Sequence, residues 1–311
     1  GILFFYLENG ILKKSEIYSL DEKSVNPREL KSETLAAIAD IHFENKLEII
    51  SQAYALRASI GMGGHGAFPI GKLVGSDKDF VYWLDAHDCK WTTDDRYYSL
   101  PDFAKDFSPC DTFLQNYPNG WKEIQNFKKE DSKKYWSYLM ATPKETEMES
   151  ELFRKMIQEK IIQKGKANDH LPDLAYLTIK STDAAGHYFG WESLEAKETF
   201  READRQIGIL YEFLKTNFGD KFILVLTADH GCAPLPEISG GDRLLVEDFY
   251  KEVNKLLKNG SSGESLIKKM TVGQVSLDRG VMKKYNISED EIIEKIQNIT
   301  VKGKKFFKRI V

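Results

Sequence analysis

The chain has 311 residues, with 44 lysines and arginines against 48 aspartates and glutamates, which gives a formal net charge of −4. Hydrophobic residues make up 41% and charged residues 30%, a composition that excludes disorder over most of the length. The charge balance lacks the strongly basic face of a nucleic-acid-binding protein, and the apolar runs are far shorter than the roughly 20 residues of a transmembrane helix.

The first alternation of helix and strand patterns lies in the amino-terminal half. Apolar residues recur on one helical face over residues 30–43, and the run at residues 47–50 predicts a buried strand. A second helix is predicted over residues 145–164, with Gly165 as its stop signal. The short apolar run at residues 174–179 then predicts a strand that is covered on both faces.

A strand, a helix and another strand follow one another in the next part of the chain. Residues 192–217 carry apolar side chains on one helical stripe, and a further apolar run comes directly after them at residues 222–227. This order predicts a right-handed crossover between parallel strands. We therefore expect an α/β fold, with an open, mostly parallel sheet and helices on both faces. Farther along, helices are predicted over residues 244–257 and 289–299, with a short strand near residues 274–277.

The segment of residues 61–144 has a different composition. Glycines cluster between residues 61 and 66, and aromatic and acidic residues alternate through residues 82–98. We interpret this segment as an insertion over one edge of the sheet, whose aromatic side chains form a small core of their own. Residues 1–311 are thus predicted to be a single α/β domain that carries an aromatic and acidic subdomain.

The three cysteines do not predict a disulfide framework. Cys89, Cys110 and Cys232 are too few for one, and their odd number leaves at least one thiol free. We interpret all three as small buried residues.

A carboxylate and an imidazole follow each of two predicted strands. Asp183 and His187 come after residues 174–179, and Asp229 and His230 come after residues 222–227. The carboxyl ends of strands are where open α/β sheets bind ligands, so we expect the four side chains to converge at one edge of the sheet. Carboxylate oxygen and neutral imidazole nitrogen are ligands of zinc. Two such pairs could hold two metal ions about 3.5–4 Å apart, as in phosphoryl transfer.

The same residues carry a family resemblance. The stretch of residues 173–237, with Ser-Thr-Asp at residues 181–183 and Thr-Ala-Asp-His-Gly at residues 227–231, resembles the alkaline phosphatase superfamily. Within it, the sequence is most similar to the type I phosphodiesterase/nucleotide pyrophosphatase-like branch, particularly to bacterial zinc-dependent alkaline phosphatases with a threonine nucleophile. Weaker similarity extends over residues 26–30, 55–65, 82–92 and 275–282.

The resemblance implies a hydrolase of small phosphate esters that binds two zinc ions. Asp183 and His187 would bind one ion, and Asp229 and His230 the other. Arg57 stands near the place where the phosphatases carry a Lys-x-Arg pair, and its guanidinium could bind a phosphate oxygen. By analogy the protein is periplasmic or extracellular, while its oligomeric state and its preference for monoesters or diesters stay open.

The resemblance also implies that the site is incomplete within these residues. The nucleophile and the first metal-binding aspartate of the family are expected upstream of Gly1, and the last histidine ligand downstream of Val311. Ser181 and Thr182 are expected to form hydrogen bonds beside the metal ligand and not to replace the nucleophile. Two alternatives stay open, namely a degenerate, non-catalytic binding module and a phosphomutase-type relative.

Overall fold

The computed structural model describes residues 5–8, 11–14, 27, 30–66, 79–85, 88–116, 120–121, 124–125, 138–165, 169–257, 263–271, 274–308 and 310. The chain divides into two compact units, Leu3–Gly231 and Cys232–Val311. That residues 1–311 form a single domain with an insertion stays a prediction.

The first unit contains the elements that carry the predicted site residues. Its described strands are β1 (Phe5–Glu8), β2 (Ile11–Lys14), β3 (Ile49–Ala53), β4 (Phe80–Asp85), β5 (Lys90–Thr92), β6 (Gly120–Trp121), β7 (Ile124–Gln125) and β8 (Leu174–Thr178). Its described helices are α1 (Leu35–His42), α2 (Leu56–Gly63), α3 (Asp102–Lys105), α4 (Pro109–Asn116), α5 (Pro143–Ile157), α6 (Ser181–Phe189) and α7 (Leu194–Phe218).

Four of these strands form one sheet in the order β5-β4-β3-β8. β3 is parallel to both β4 and β8, and β5 pairs with β4 in the antiparallel direction. The predicted α/β class with a mostly parallel sheet is therefore confirmed. β4 and β5 lie within residues 61–144, so the segment that the sequence suggests as an edge insertion itself supplies two strands of this sheet.

Helix α5 covers the sheet and contributes much of the core. Thr142 caps it by accepting a hydrogen bond from the backbone N–H of Glu145, and Pro143 occupies the first turn, where a missing N–H costs nothing. Beyond Ile157 the helix continues as a π-helical turn to Ile162, which confirms the predicted helix. Its apolar stripe packs with aromatic residues of the sheet and of α4 in one buried cluster, which includes Tyr82, Trp91, Phe113, Met148, Leu152 and Met156.

The prediction of a strand at residues 222–227 is wrong. The structure gives this run no regular secondary structure, and its side chains are largely exposed, with Ile223 at 91%. An apolar run becomes a buried strand only where neighbouring backbone pairs with it and other elements cover its faces. Within the part of the chain that the structure describes, β3 is the partner of β8, and β8 itself is half-exposed instead of covered on both faces.

The buried face of α1 also differs from the prediction. The apolar pattern over residues 30–43 predicts that Leu35 and Ile38 face the core, but both are exposed, and the helix buries Ala36, Ala37 and Asp40. Small alanine side chains let a helix approach its neighbours more closely than leucine does, so this face packs in spite of its lower hydrophobicity.

The second unit follows the predicted pattern of helices and a strand. It contains α8 (Pro236–Ser239), α9 (Val246–Asn254), β9 (Ile267–Thr271), β10 (Gln274–Leu277), α10 (Arg279–Tyr285), α11 (Glu289–Gln297), β11 (Thr300–Val301) and β12 (Lys304–Lys305). β9 and β10 form an antiparallel pair. Its own buried core joins α9 and α11 through Phe249, Val253, Ile292 and Ile296.

Two cysteines are joined in a disulfide, which corrects the prediction that all three are inert and buried. Cys89, in the turn between β4 and β5, is bonded to Cys110 in the first turn of α4, with their Cα atoms 5.9 Å apart. Cys232 is a free and exposed thiol. Of the helices in the described ranges, none combines the length and apolar character that crossing a bilayer requires.

Candidate metal centre

Asp183 and His187 lie on one face of α6, directly after β8. The helix begins at Ser181, and Asp183 stands in its first turn, where the positive end of the helix dipole favours a carboxylate. His187 follows four residues later, so the two side chains lie one above the other. The Nε2 atom of His187 is 3.4 Å from Oδ1 of Asp183.

His230 reaches the same carboxylate from residues that follow α7. Its Nε2 atom is 3.8 Å from Oδ1 of Asp183 and 3.8 Å from Oδ2 of Asp229. The structure thus brings His187 and His230 to one oxygen of Asp183, with Asp229 beside His230. Asp183 is 17% exposed, whereas the side chains of the other three lie mostly in solvent.

The tautomer of His230 follows from its hydrogen bond. Its Nδ1 atom is 2.8 Å from the carbonyl oxygen of Gly231. Because a carbonyl oxygen only accepts, Nδ1 carries the proton in the neutral ring and Nε2 keeps its lone pair. The backbone N–H of His230 also donates to Oδ1 of Asp229 at 3.1 Å. The atom that faces Asp183 is therefore the one that can bind a metal ion.

The donor chemistry of this group fits zinc. Neighbouring ligands of a tetrahedral zinc ion lie about 3.3 Å apart when each bond is about 2.0–2.1 Å, close to the separations found at Asp183. Oδ1 of Asp183 is buried and makes no hydrogen bond within the described residues. However, no three His, Cys, Asp or Glu side chains among those residues already surround one point. The exposed imidazoles of His187 and His230 would have to rotate to complete a set of metal ligands.

Lys180 is a member of the site that the sequence reasoning missed. Its Nζ atom contacts the second oxygen of Asp183, Oδ2, so this carboxylate is held by an ammonium on one side and faces two imidazoles on the other. The only signal in the sequence is a lysine three residues before the predicted ligand. Such a lysine is usually a solvent-exposed residue.

The start of α6 is attached to α5 by buried hydroxyl groups. Thr146 and Ser181 share a hydrogen bond, and both residues are completely buried. Ser181 is thus a hydrogen-bonding residue beside the site, inaccessible to a substrate, as the sequence suggested for it. Farther along α5, the backbone carbonyl of Glu149 accepts a hydrogen bond from the Gln52 amide at 2.7 Å.

Two buried glutamates lie on the same helix. Burial raises the pKa of Glu145 to about 8, although the neighbouring Glu149 lowers it in part. Burial, together with the negative charge of Glu145, raises the pKa of Glu149 well above its ordinary value. The backbone N–H of Lys180 opposes this rise without cancelling it. The pair therefore holds a proton at neutral pH.

Arg57 lies exposed in the first turn of α2, directly after the carboxyl end of β3. β3 is the strand next to β8, so Arg57 and Asp183 both follow the carboxyl ends of neighbouring parallel strands. Ser59, two residues later, is buried, and its hydroxyl contacts the backbone carbonyls of Ser51 and Tyr82. The exposed Arg57 side chain can therefore reach a ligand, whereas the Ser59 hydroxyl holds α2 against β3 and β4.

A family model described as type I phosphodiesterase/nucleotide pyrophosphatase matches residues 77–308. Alkaline phosphatase PafA of Elizabethkingia meningoseptica is 25% identical over 298 residues, which cover 86% of this chain and 53% of that protein. A protein named calcium-transporting ATPase, of Myroides odoratus, is 24% identical over 264 residues, which cover 73% of this chain and 47% of the relative. The chain spans about half the length of these curated relatives.

The fold is similar to a solved structure. The crystal structure of wild-type alkaline phosphatase PafA matches with a TM-score of 0.60 and 21% sequence identity, over 83% of this chain and 53% of that one. At this level of identity the match supports the fold class.

Proposed function

Because this chain belongs to the type I phosphodiesterase/nucleotide pyrophosphatase family, we propose that it supplies metal-binding and phosphate-binding residues to a hydrolase of phosphoric esters. The observation that carries the proposal is the position of Asp183, whose Oδ1 atom faces the Nε2 atoms of both His187 and His230. Carboxylate and imidazole groups at such short range fit a divalent metal ion of the zinc type.

Two zinc ions per intact enzyme are proposed, with Asp183 and His187 at one and Asp229 and His230 at the other. The two pairs are joined by the 3.8 Å approach of His230 to Asp183, which is consistent with two neighbouring ions. Zinc, when bound, supplies Lewis-acid stabilisation of the charge that develops on the oxygens of the phosphoryl group. The proposed role of the four residues is to hold the two zinc ions and to set the distance between them.

Arg57 is proposed to bind the phosphate group of the substrate. A guanidinium presents two parallel N–H groups that match two phosphate oxygens, and its charge is not lost at any working pH. Its exposed position after β3 supports this role, because ligands of open α/β sheets bind at the carboxyl ends of the strands.

Zinc content of the dialysed 311-residue chain tests the metal assignment. We expect the chain to retain zinc, and Asp183→Asn and His230→Ala to lose most of it. Asp102→Asn, which removes an exposed carboxylate on α3, should have no effect. A chain that retains no zinc, or a full complement of zinc in Asp183→Asn, would refute the proposal.

Hydrolysis of an aryl phosphate tests a separate point. We expect negligible turnover by this chain, because the resemblance puts the nucleophile outside its residues and Ser181 is buried. Turnover above the buffer rate that is abolished by Asp229→Ala would show that another residue acts as the nucleophile.

The protein is proposed to work outside the cytoplasm, in the periplasm or the extracellular space. The disulfide between Cys89 and Cys110 supports this location, because disulfides persist in oxidising compartments and are rare in the cytosol. Measured free thiols in protein isolated from its host would test it, and two additional reactive thiols beside Cys232 would contradict it.

A further inference from the structure

Lys180 occupies a position that helix energetics disfavours. It stands at the N-cap of α6, where the positive end of the helix dipole repels a cation. Its partner Asp183 comes three residues later, and a cation before an anion is the less favourable order on a helix. Local helix stability therefore does not account for the placement of this ammonium group.

The Lys180–Asp183 ion pair is also partly withdrawn from water. The Lys180 side chain is 29% exposed and that of Asp183 17%. Lys105 and Asp102, which have the same separation along the chain on α3, are 48% and 93% exposed. Because water screens charges less where they are partly buried, the attraction between Lys180 and Asp183 is stronger than that of an ordinary surface pair.

The ammonium and a metal ion would compete for the same negative charge. Lys180 contacts Oδ2 of Asp183, and the two imidazoles face Oδ1. A divalent ion bound at Oδ1 would lie within a few ångströms of the ammonium, and like charges at this range repel. The ion would have to displace Lys180 from Asp183 or bind with reduced affinity beside it.

We propose that Lys180 is a built-in counter-cation of Asp183 that competes with divalent metal ions and lowers the affinity of the centre for them. This inference rests on the metal centre proposed above. It adds a residue that sets how readily that centre takes up metal. Lys180 acts through Asp183 and is not itself a metal ligand.

Affinity for Co²⁺ and Zn²⁺, measured with the full 311-residue chain against a chromophoric chelator, tests the proposal. Lys180→Gln removes the charge and should bind both ions about 10-fold tighter, which corresponds to about 1.4 kcal/mol. Lys180→Arg keeps a cation and should bind like the parent chain. Lys105→Gln, which removes the same charge from the exposed pair on α3, should also leave the affinity unchanged.

Amine labelling followed by mass spectrometry gives a second readout that does not depend on activity. In the metal-free chain, Lys180 should react more slowly than Lys105. Excess Zn²⁺ should accelerate labelling at Lys180 alone, because the ion releases the ammonium from Asp183. The thermal unfolding curve of each variant shows whether the comparison is made between folded proteins.

The possible results separate this inference from the proposed function. Equal or weaker metal binding by Lys180→Gln, with binding retained by the parent chain, would overturn only the role of Lys180. Absence of binding in both chains would overturn the metal centre together with this inference.

Discussion

Thr146 and Ser181 join two helices through a hydrogen bond between their hydroxyl groups, in a place where neither residue has any contact with solvent. Thr146 belongs to α5, which packs on the sheet, and Ser181 is the first residue of α6. Asp183 follows two residues later. The start of the helix that carries the first pair of predicted metal ligands is therefore fixed to the core.

We predict that Ser181→Ala and Thr146→Val each destabilise the chain by about 1–3 kcal/mol, because each leaves one buried hydroxyl without its partner. The double variant should lose clearly less than the sum, since it removes both hydroxyls together. Urea unfolding of the four chains in the cycle measures the coupling. Additive losses would show that the two hydroxyls do not depend on each other.

Gly186 lies where α6 contacts the indole ring of Trp191, and a Cβ atom added there would come within 2.4 Å of that ring. We therefore expect Gly186→Ala to destabilise the chain by about 1–3 kcal/mol through overpacking.

Gly208, inside α7, has open space around an added Cβ atom. Gly208→Ala should stabilise the chain by about 0.5–1 kcal/mol. Thermal unfolding of the two single variants measures both effects. If Gly186→Ala costs as much stability in a chain that also carries Trp191→Ala as it does in the parent chain, the steric explanation is contradicted.

The buried pair Glu145 and Glu149 should make stability fall as pH rises. In the unfolded chain Glu145 ionises near its ordinary pKa of 4.5, whereas in the folded protein its pKa is about 8. Between these two values the folded state holds a proton that the unfolded state has released, so stability is full below pH 4.5 and is lost progressively up to about pH 8.

Glu145→Gln removes the ionisable group and should make the pH dependence less steep over this range. Glu151→Gln, at an exposed position of the same helix, is the matched control and should keep the original slope. Urea midpoints at several pH values between 5 and 8.5 measure the effect. An unchanged slope in Glu145→Gln would mean that other groups dominate the pH dependence.

Reduction of the disulfide between Cys89 and Cys110 should destabilise the first unit. The bond joins two residues that are 21 positions apart in the sequence, for which the lost chain entropy corresponds to about 3 kcal/mol. Unfolding midpoints with and without a reductant test this, with Cys89→Ser/Cys110→Ser as the variant that reductant should no longer affect. Cys232→Ser should keep the full response, because that thiol is free.

Much of the fold could be predicted because its signals are local. The stripe of α7 and the apolar run of β8 lie within single segments, so periodicity identifies them. Residues 222–227 show the limit of such reasoning. Their composition favours a strand, but a strand needs partners, and pairing depends on parts of the structure that a local pattern does not specify. β4 shows the reverse case, since its aromatic neighbours conceal a strand that pairs directly with β3.

Some features of the candidate site could also be predicted from local sequence, and others could not. Asp183 and His187 are four residues apart, and helix geometry puts them on one face before any tertiary contact is considered. Lys180 could not be identified from sequence, because lysine is usually exposed and its role depends on a contact with one carboxylate. The disulfide could not be identified either, because it requires α4 to approach the turn after β4.

The exposed residues 222–227 have a consequence for handling the protein. Six residues without proline or charge, rich in aliphatic side chains, have the composition of segments that stack into intermolecular β-sheets. Charged residues stand at both ends, with Asp220 and Lys221 before the run and Asp229 after it, and such gatekeepers oppose stacking through charge repulsion. Colloidal behaviour should therefore depend strongly on ionic strength, since added salt screens the repulsion while the aliphatic side chains stay available for association.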